Sequence, residues 1–209
     1  MDRIHVHLKP GMRCWFTSDQ HFNHINVIRF CNRPWSDAAQ MNKGLTDNWN
    51  EVVGEKDVVF ILGDFYWDKD PNAVSKKLNQ LSGAKIYILL GNHDKKEQFE
   101  KIKDKRVEVI SDTAMVFISG IDEDKPTREH EFMISHFPLA TWPHFYRGTI
   151  NLHGHIHSGP RTKVDLDVPG ADLILKHNLA YDVGVDNNNY YPVEIRQILN
   201  ILNHDDTGR

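Results

Sequence analysis

The sequence predicts an α/β fold in which two β-sheets pack together and helices cover the outside. Continuous apolar runs at 58–62 and 86–90 are typical of strands that are buried on both faces of a sheet. Helical periodicity before and between these runs implies a parallel sheet with right-handed crossovers. The later sequence changes to short strand segments in hairpin order, so we expect that half to be more antiparallel. With 209 residues, the chain can bury such a core as a single domain, residues 1–209.

The first half alternates predicted strands with predicted helices. Residues 13–18 are rich in aromatic and β-prone side chains and predict the first strand, and a short helix over roughly 24–31 follows it. A second helix before the 58–62 strand is indicated by apolar residues three to four positions apart, namely Ala38, Met41, Leu45, Trp49 and Val52. A third helix is predicted from Asp70, an N-cap followed by a proline, to Gly83.

The second half contains four further strand candidates and a final helix. Residues 114–119 and 131–135 are joined by a polar, proline-containing stretch and predict a hairpin. Residues 149–152 and 178–185 predict two more strands. Apolar residues with helical spacing predict a closing helix that starts at Pro192.

Composition excludes several classes of protein. The chain carries 25 Lys+Arg against 29 Asp+Glu, a formal net charge of -4, which argues against broad electrostatic capture of nucleic acid. Its two cysteines, Cys14 and Cys31, are too few for a disulfide framework and favour a reducing compartment. The first ten residues lack an apolar signal core, and no apolar run has membrane-spanning length. We therefore predict a cytoplasmic protein without a membrane partner, and the sequence predicts no oligomeric state.

Polar residues are concentrated at the ends of the predicted strands. Asp19, Asp64 and Asn92 each follow such a strand, at the edge where open α/β sheets gather ligand sites. Histidines, of which the chain has 13, join them at His21, His93, His136, His153 and His155. Side chains alternate in direction along an extended segment, so the two outer residues of an Asp-x-His or His-x-His sequence point to the same side. Both can therefore reach one metal cluster. Oxygen and nitrogen donors without thiolate favour Mn²⁺, Fe²⁺ or Zn²⁺, and their number favours two ions that share a carboxylate.

Most of these residues also have a structural explanation when each is taken alone. Asp19 could be a turn residue or a helix N-cap, and the Asn92–Asp94 segment could cap the helix that follows it. His136 could be a hydrogen-bonded core histidine. Two imidazoles on either side of Gly154 have no comparable packing explanation. Because all of the structural explanations would have to hold together, we favour the metal site.

Five blocks of sequence carry a resemblance to a known family. They are Asp19-Gln20-His21, Gly63-Asp64, Gly91-Asn92-His93-Asp94, His136 and His153-Gly154-His155. In this order they resemble the motifs of the calcineurin-like metallophosphoesterases, and stretches 17–35 and 182–186 resemble small bacterial and phage members. The resemblance implies a four-layer αββα fold, a two-sheet sandwich flanked by helices. It also implies two divalent metal ions, for which we expect manganese first and iron or zinc as alternatives.

The resemblance also implies roles for individual residues. The first ion would be held by Asp19, His21 and His155, the second by Asn92, His136 and His153, and Asp64 would bridge both. His93 would face the substrate and donate a proton, with Asp94 fixing the orientation of its ring. His157 continues the alternation but is not required as a ligand, so we place it at the surface or in support of the ligands.

Other residues near the first block are open to two interpretations. Arg29 and Arg33 could bind a substrate phosphate through their planar guanidinium groups, or could lie on a solvated helix face and loop. His24 is expected at the surface of the short helix. Trp67 is expected in the core or at the rim of the site rather than as a stacking platform.

The resulting prediction is a dinuclear metal-dependent phosphoesterase that hydrolyses a small phosphate ester by attack of metal-bound hydroxide. Monoester and diester substrates both remain open, and nucleotide-like esters are slightly favoured because no accessory domain closes the site. Residues 63–68 lack the arginine of the protein-phosphatase branch, which argues against a phosphoprotein substrate. Two other hypotheses are a metal-binding interaction module without catalysis, against which His93 argues, and a nuclease, against which the acidic balance argues.

Overall fold

The computed structural model describes residues 1–68, 70, 72–110, 112–158 and 179–205, without the side chains of 203–205. Within these residues, ten strands form two five-stranded sheets. The strands are β1 (Asp2–His7), β2 (Cys14–Thr17), β3 (Val58–Leu62), β4 (Lys85–Leu89), β5 (Val107–Val109), β6 (Thr113–Ser119), β7 (His130–Ser135), β8 (Ile150–His153), β9 (Ala180–Asp182) and β10 (Val193–Glu194). The helices are α1 (Ile25–Phe30), α2 (Ala38–Val52), α3 (Ala73–Leu78), α4 (Lys96–Phe99) and α5 (Ile195–Asp205), and a 3-10 helix spans Phe145–Arg147.

The first sheet has the order β10-β2-β3-β4-β5 and confirms the predicted parallel arrangement. Strands β2 to β5 are parallel, whereas β10 pairs antiparallel with β2. Helices α1 and α2 lie where the sequence predicts them. Because β2, β3 and β4 run the same way, the residues that follow them meet at one edge of the sheet.

The second sheet has the order β1-β6-β7-β8-β9, and here the expectation of a more antiparallel half is wrong. The β6–β7 hairpin is antiparallel as predicted, but β1–β6, β7–β8 and β8–β9 are parallel. The stretch 136–149 between β7 and β8 is long enough to carry the chain back across the sheet, so β8 starts at the same edge as β7. The carboxyl ends of β7 and β8 are therefore adjacent.

Apolar side chains fill three layers. Between the sheets, Phe16 stacks on Phe60 with ring centroids 5.0 Å apart, and Phe132 packs against the pair from the second sheet. Helix α2 covers the outer face of the first sheet through Met41, Leu45 and Trp49. The outer face of the second sheet is covered, in the described residues, by a cluster that includes Trp142 and partly buried Phe145. Flanked in this way, the two sheets form the predicted layered α/β fold.

Some element boundaries differ from the predictions. Helix α3 begins after Asn72, whose backbone N–H donates to the Asp70 carboxylate at 2.9 Å. Pro71 and Asn178, which enter two of the predictions, lie outside the described residues. None of the helices in the described part of the chain is long and apolar enough to span a membrane.

Candidate metal centre

The candidate site lies where the ends of five strands meet. Asp19 follows β2, Asp64 follows β3 and Asn92 follows β4, whereas His136 follows β7 of the second sheet and His155 follows β8. Two backbone hydrogen bonds extend the β2–β3 pairing into the loops. The N–H of Asp19 donates to Gly63 O at 3.0 Å and the N–H of His21 donates to Asp64 O at 2.9 Å. The first two sequence blocks are thereby held side by side.

The backbone of the site is left-handed at several non-glycine positions. Five site residues have φ between 48° and 71°, namely Asp19, His21, Asp64, His155 and His157. This region is uncommon for residues with a Cβ and costs of order 1–3 kcal/mol each, so its persistence requires support from the surrounding structure. Such clustered strain is typical of sites where the direction of a side chain matters more than local stability.

The first group of donors consists of Asp19, His21 and His157, whose ligand atoms lie within 4.8 Å of one another. One oxygen of Asp19, Oδ2, accepts the backbone N–H of His155 at 2.9 Å. The other, Oδ1, is buried without a hydrogen-bond partner among the described residues and lies 3.8 Å from Nε2 of His157. A buried carboxylate oxygen without a partner is costly, and a bound cation would satisfy it.

The second group consists of Asp64, His136 and His155. Asp64 Oδ2 lies 3.4 Å from Nε2 of His136 and 3.5 Å from Nε2 of His21, so this one oxygen faces donors of both groups. His136 donates from Nδ1 to the Leu62 carbonyl oxygen at 2.8 Å. That bond leaves Nε2 as the ring nitrogen that faces Asp64, and this nitrogen can bind a metal when the ring is neutral. Asn92 Oδ1 lies 3.0 Å from the same Nε2 atom.

The structure places the last histidines differently from the sequence prediction. His157, rather than His155, lies with Asp19 and His21, and His155, rather than His153, lies with Asp64 and His136. His153 is the last residue of β8, is buried and has its Nδ1 3.1 Å from Gly154 O, outside both donor groups. The loop after β8 has left-handed backbone at His155 and His157. At each donor group it places the histidine that lies two positions after the predicted one.

A signal for this displacement was present in the sequence. Asp64 and Asn92 each directly follow a glycine, and the corresponding residue after Gly154 is His155. The structure gives the physical reason, because a Cβ at Gly154 would collide with Ser18 Oγ and Asp19 Oδ2, and a Cβ at Gly91 would collide with Asp64. A glycine before the ligand lets one loop approach the next closely.

Burial and neighbouring groups shift the pKa values of the carboxylates. Burial raises the pKa of Asp19 to about 6. Burial would also raise the pKa of Asp64, but the hydrogen bond and charge of His136, together with His21, bring it to about 2. Burial lowers the pKa of His21, which keeps that ring neutral and its nitrogen available to a metal.

A buried ion-pair network supports the first donor group. The Arg33 guanidinium binds Asp186 through Nε and Nη2, at 2.9 Å and 2.7 Å, and also donates to the main-chain oxygens of Asp19 and Gln20. Asp186 accepts from Nδ1 of His157 at 2.6 Å, which points Nε2 of that ring toward Asp19. The donors of Arg33 are thus used inside the protein, which does not fit the predicted contact of Arg33 with a substrate phosphate.

The same network changes the pKa values of its members. Burial favours the neutral form of His157, but the hydrogen bond to Asp186 outweighs it and raises the pKa of His157 to about 11. Against the effect of burial, His157 and Arg33 lower the pKa of Asp186 to about 2. Cation binding at His157 would displace the ring proton, since a histidine ligand must be neutral.

Asp94 has a different position from the one predicted. Its carboxylate accepts three backbone N–H groups, from Asp64 at 2.8 Å, Gly91 at 2.9 Å and Phe65 at 3.0 Å. It therefore joins the loops after β3 and β4 and does not set the orientation of the His93 ring through these bonds. Burial raises the pKa of Asp94 to about 6, against the effect of these N–H groups.

An open cleft of about 510 Å³ lies beside the donor groups. Its lining residues are Asn23, Tyr66, Trp67, Asp68, Asn92, His93, Asp94 and Lys95. His24 is half-buried and stacks on Trp67 rather than lying free at the surface of α1, and Trp67 lies at the rim, 43% exposed. Arg29 lies on the exposed side of α1.

The residues present fit divalent cations. The two groups combine carboxylate oxygens and imidazole nitrogens without a thiolate, which suits first-row transition metals. The unpartnered Oδ1 of Asp19 and the Asp64 oxygen between two imidazoles are positions that a cation would stabilise. Cys31 lies near His157 and Asp186 in a third possible grouping, but it is separate from Asp64.

Comparison with known proteins gives a consistent result. The chain is 31% identical over 191 residues to an uncharacterised protein of Methanocaldococcus jannaschii, covering 91% of each chain. It is 29% identical to the gene 66 protein of Mycobacterium phage D29, over 69% of this chain and 78% of the phage protein. A crystal structure of a protein of unknown function from Aquifex aeolicus has a TM-score of 0.64 over 91% of this chain and 100% of its own, at 21% identity, and supports the fold alone.

The family comparison covers most of the chain. The model of the calcineurin-like phosphoesterase family matches residues 12–193, a range that contains both donor groups and the cleft. The family implies divalent metal ions, in agreement with the donor chemistry. The chain therefore belongs to the calcineurin-like phosphoesterase family, whose members are metal-dependent phosphoric ester hydrolases.

Proposed function

We propose that the chain hydrolyses a small phosphate ester at a site that holds two divalent cations, with Mn²⁺ as the expected metal. The observation that carries this proposal is the position of Asp64 Oδ2, 3.5 Å from His21 Nε2 and 3.4 Å from His136 Nε2. A single carboxylate oxygen between two imidazoles of different donor groups is the arrangement expected of a ligand shared by two ions.

The proposed ligands combine the sequence prediction with the observed geometry. They are Asp19, His21 and His157 for the first ion, Asn92, His136 and His155 for the second, and Asp64 for both. When bound, two such ions neutralise phosphoryl oxygens and lower the pKa of a water from 15.7 toward ~7, so that a nucleophile forms at neutral pH. The chain's own contribution is to fix these donors in advance on loops that are joined by backbone hydrogen bonds.

We assign proton donation to His93. Its backbone N–H donates to Asp64 Oδ1 at 2.9 Å, which ties this residue to the proposed shared ligand. Its ring lines the cleft and lies 5.5 Å from the His21 ring, centroid to centroid. A ring N–H at this position can donate to the leaving oxygen of the ester, a role typically worth about 10²–10⁴-fold in rate.

A lysine takes the place of the predicted arginines as the cation of the cleft. Arg33 is buried against Asp186, and Arg29 is exposed on α1. Lys95 is exposed and lines the cleft together with His93. Its ammonium group supplies positive charge to attract a phosphate without the bidentate geometry of arginine. This open, lightly charged cleft is suited to small esters, whether monoesters or diesters.

The test is hydrolysis by the Mn²⁺-loaded chain of a panel of phosphate monoesters and diesters. We expect activity that depends on Mn²⁺. The His93→Asn variant should keep its metal content and lose about 10²–10⁴-fold in turnover on alkyl esters, with a smaller loss on nitrophenyl esters, whose leaving groups need no proton. Asp64→Asn should lower metal content at both positions.

Two results would contradict the proposal. A chain that binds two Mn²⁺ ions and hydrolyses no ester of the panel would be a metal-binding interaction module. Equal losses of His93→Asn on alkyl and nitrophenyl esters would remove the proton-donor role of His93.

A further inference from the structure

Trp67, which lines the cleft, belongs to a stacked pair of rings. The imidazole of His24 and the indole of Trp67 lie 4.2 Å apart at an interplanar angle of 10°. One face of the indole is thus covered by His24, yet Trp67 remains 43% exposed and lines the cleft. A half-exposed indole held flat by another ring presents a large, rigid apolar face to whatever enters the cleft.

The pair is held in place by the backbone of two loops. The N–H of Trp67 donates to Phe22 O at 2.8 Å, and Phe22 forms a parallel bridge with Tyr66. Next to this bridge, Asn23 Nδ2 donates to Asp68 Oδ2 at 2.7 Å. The two segments that carry the rings therefore form a single unit. A platform that is ordered beforehand loses little conformational entropy when a ligand stacks on it.

The position of the pair relates it to the proposed chemistry. The Trp67 ring lies 5.3 Å from the His93 ring, which in turn lies 5.5 Å from the His21 ring of the first donor group. The order Trp67, His93, His21 runs from the rim of the cleft to the candidate metal centre. A phosphoryl group at the donor groups would place the leaving oxygen near His93 and the organic part of the ester near Trp67.

We propose that the uncovered face of Trp67 binds a planar aromatic group in the organic part of the substrate, which makes Trp67 a specificity-determining residue. This inference rests on the proposed function. Stacking of two flat π-systems is worth more than the burial of equal apolar area, by a factor of about 2- to 12-fold in affinity. The structure specifies the ligand only as a planar aromatic group, and a simple arene and a nucleobase both meet this requirement.

The test compares esters that differ in ring flatness while their leaving groups remain alike. Benzyl phosphate and cyclohexylmethyl phosphate both release a primary alcohol, and only the first carries a planar ring. We expect wild-type kcat/KM to favour benzyl phosphate by about 2- to 12-fold. Trp67→Ala should abolish this preference, and Trp67→Phe should retain part of it. Adenosine 5′-monophosphate against ribose 5-phosphate is the second pair, and a preference confined to one pair assigns the face to that type of aromatic group.

A matched control is available in Tyr146, which is 97% exposed in the 3-10 helix and is not among the residues that line the cleft. Tyr146→Ala removes an exposed aromatic ring and should leave both preferences unchanged. If Trp67→Ala also leaves both preferences unchanged in a folded protein, the proposal is overturned.

A binding experiment separates this proposal from the proposed function. Benzylphosphonate and cyclohexylmethylphosphonate are not hydrolysed, and their dissociation constants in Mn²⁺ can be measured by calorimetry. Tighter binding of benzylphosphonate that is lost in Trp67→Ala supports the aromatic face even if no ester is hydrolysed. Ester hydrolysis without any such difference would leave the phosphoesterase proposal standing and would refute the role of Trp67.

Discussion

His157 illustrates how a buried network determines the direction of one side chain. Its Nδ1 is occupied by Asp186, so that only Nε2 faces the Asp19 oxygen, which has no hydrogen-bond partner in the described part of the chain. Asp186 in turn accepts two hydrogen bonds from the Arg33 guanidinium, from Nε and from Nη2. Carboxylate partners of this kind fix the tautomer and the orientation of histidine ligands. The geometry therefore favours His157 over His153 as a ligand.

The prediction at this scale compares substitutions at these two histidines. His157→Gln should weaken Mn²⁺ binding by at least about 10-fold, because it removes a donor from the first group. His153→Gln should bind Mn²⁺ like the wild type, because His153 lies outside both donor groups of the described residues. Titration calorimetry measures both affinities, and circular dichroism checks that the variants fold. Loss of binding in a folded His153→Gln variant, with His157→Gln unaffected, would restore the assignment made from the sequence.

The sequence predicted the kinds of residue at the site better than their individual partners. Asp19, His21, Asp64 and His136 are predicted at the site because each follows a predicted strand or lies two residues from such a residue, and the structure places them in the two donor groups. The role of Arg33 could not be recognised in the same way, because its partner Asp186 is 153 positions away and only folding brings them together. The prediction also assigned each donor group a histidine two positions too early in the sequence. The left-handed backbone at His155 causes this difference, and the side-chain alternation of an extended strand does not predict such backbone.

At the scale of elements, strands buried on both faces were the easiest to predict. The runs at β3 and β4 are apolar throughout, so their length and position are clear from sequence alone. Strand β1 was missed because polar residues alternate with Ile4 and Val6 at an exposed edge of the sheet. The direction of β8 was also missed, since it depends on the path of the connection 136–149 rather than on the strand itself. Register and direction are tertiary properties that local patterns leave open.

The loops after β3 and β4 give the prediction at this scale. Asp94→Ala should lower the free energy of unfolding by about 1–3 kcal/mol, because three backbone N–H groups lose their acceptor. It should also lower Mn²⁺ affinity, because one of those groups belongs to Asp64. Urea denaturation and calorimetry measure the two effects. The control is Asp124→Ala, which removes an exposed carboxylate. Equal stability of the two variants would show that Asp94 does not hold these loops.

At the scale of the whole molecule, both donor groups draw on both sheets. Asp19 and His21 follow β2 of the first sheet, whereas His157 follows β8 of the second. Similarly, Asp64 follows β3 of the first sheet and His136 follows β7 of the second. The layered architecture could be predicted from sequence because it depends on apolar patterns, and the single-domain organisation stays a prediction. The contact between the two sheet edges, in contrast, exists only in the folded chain.

This arrangement leads to a prediction about the stability of the whole protein. A cation that binds the folded chain and not the unfolded chain stabilises it by mass action, by about 2.7 kcal/mol when its concentration is 100 times the dissociation constant. Because the donors belong to both sheets, the gain should apply to global unfolding, and one transition should move to higher urea in Mn²⁺ whether it is followed by tryptophan fluorescence or by circular dichroism. Addition of a chelator should reverse the shift. Asp64→Asn is the matched variant, since it removes the proposed shared ligand, and its shift should be much smaller. An equal shift in Asp64→Asn would mean that Mn²⁺ stabilises the fold elsewhere, and a shift seen by only one probe would mean that the ions hold a loop rather than join the two sheets.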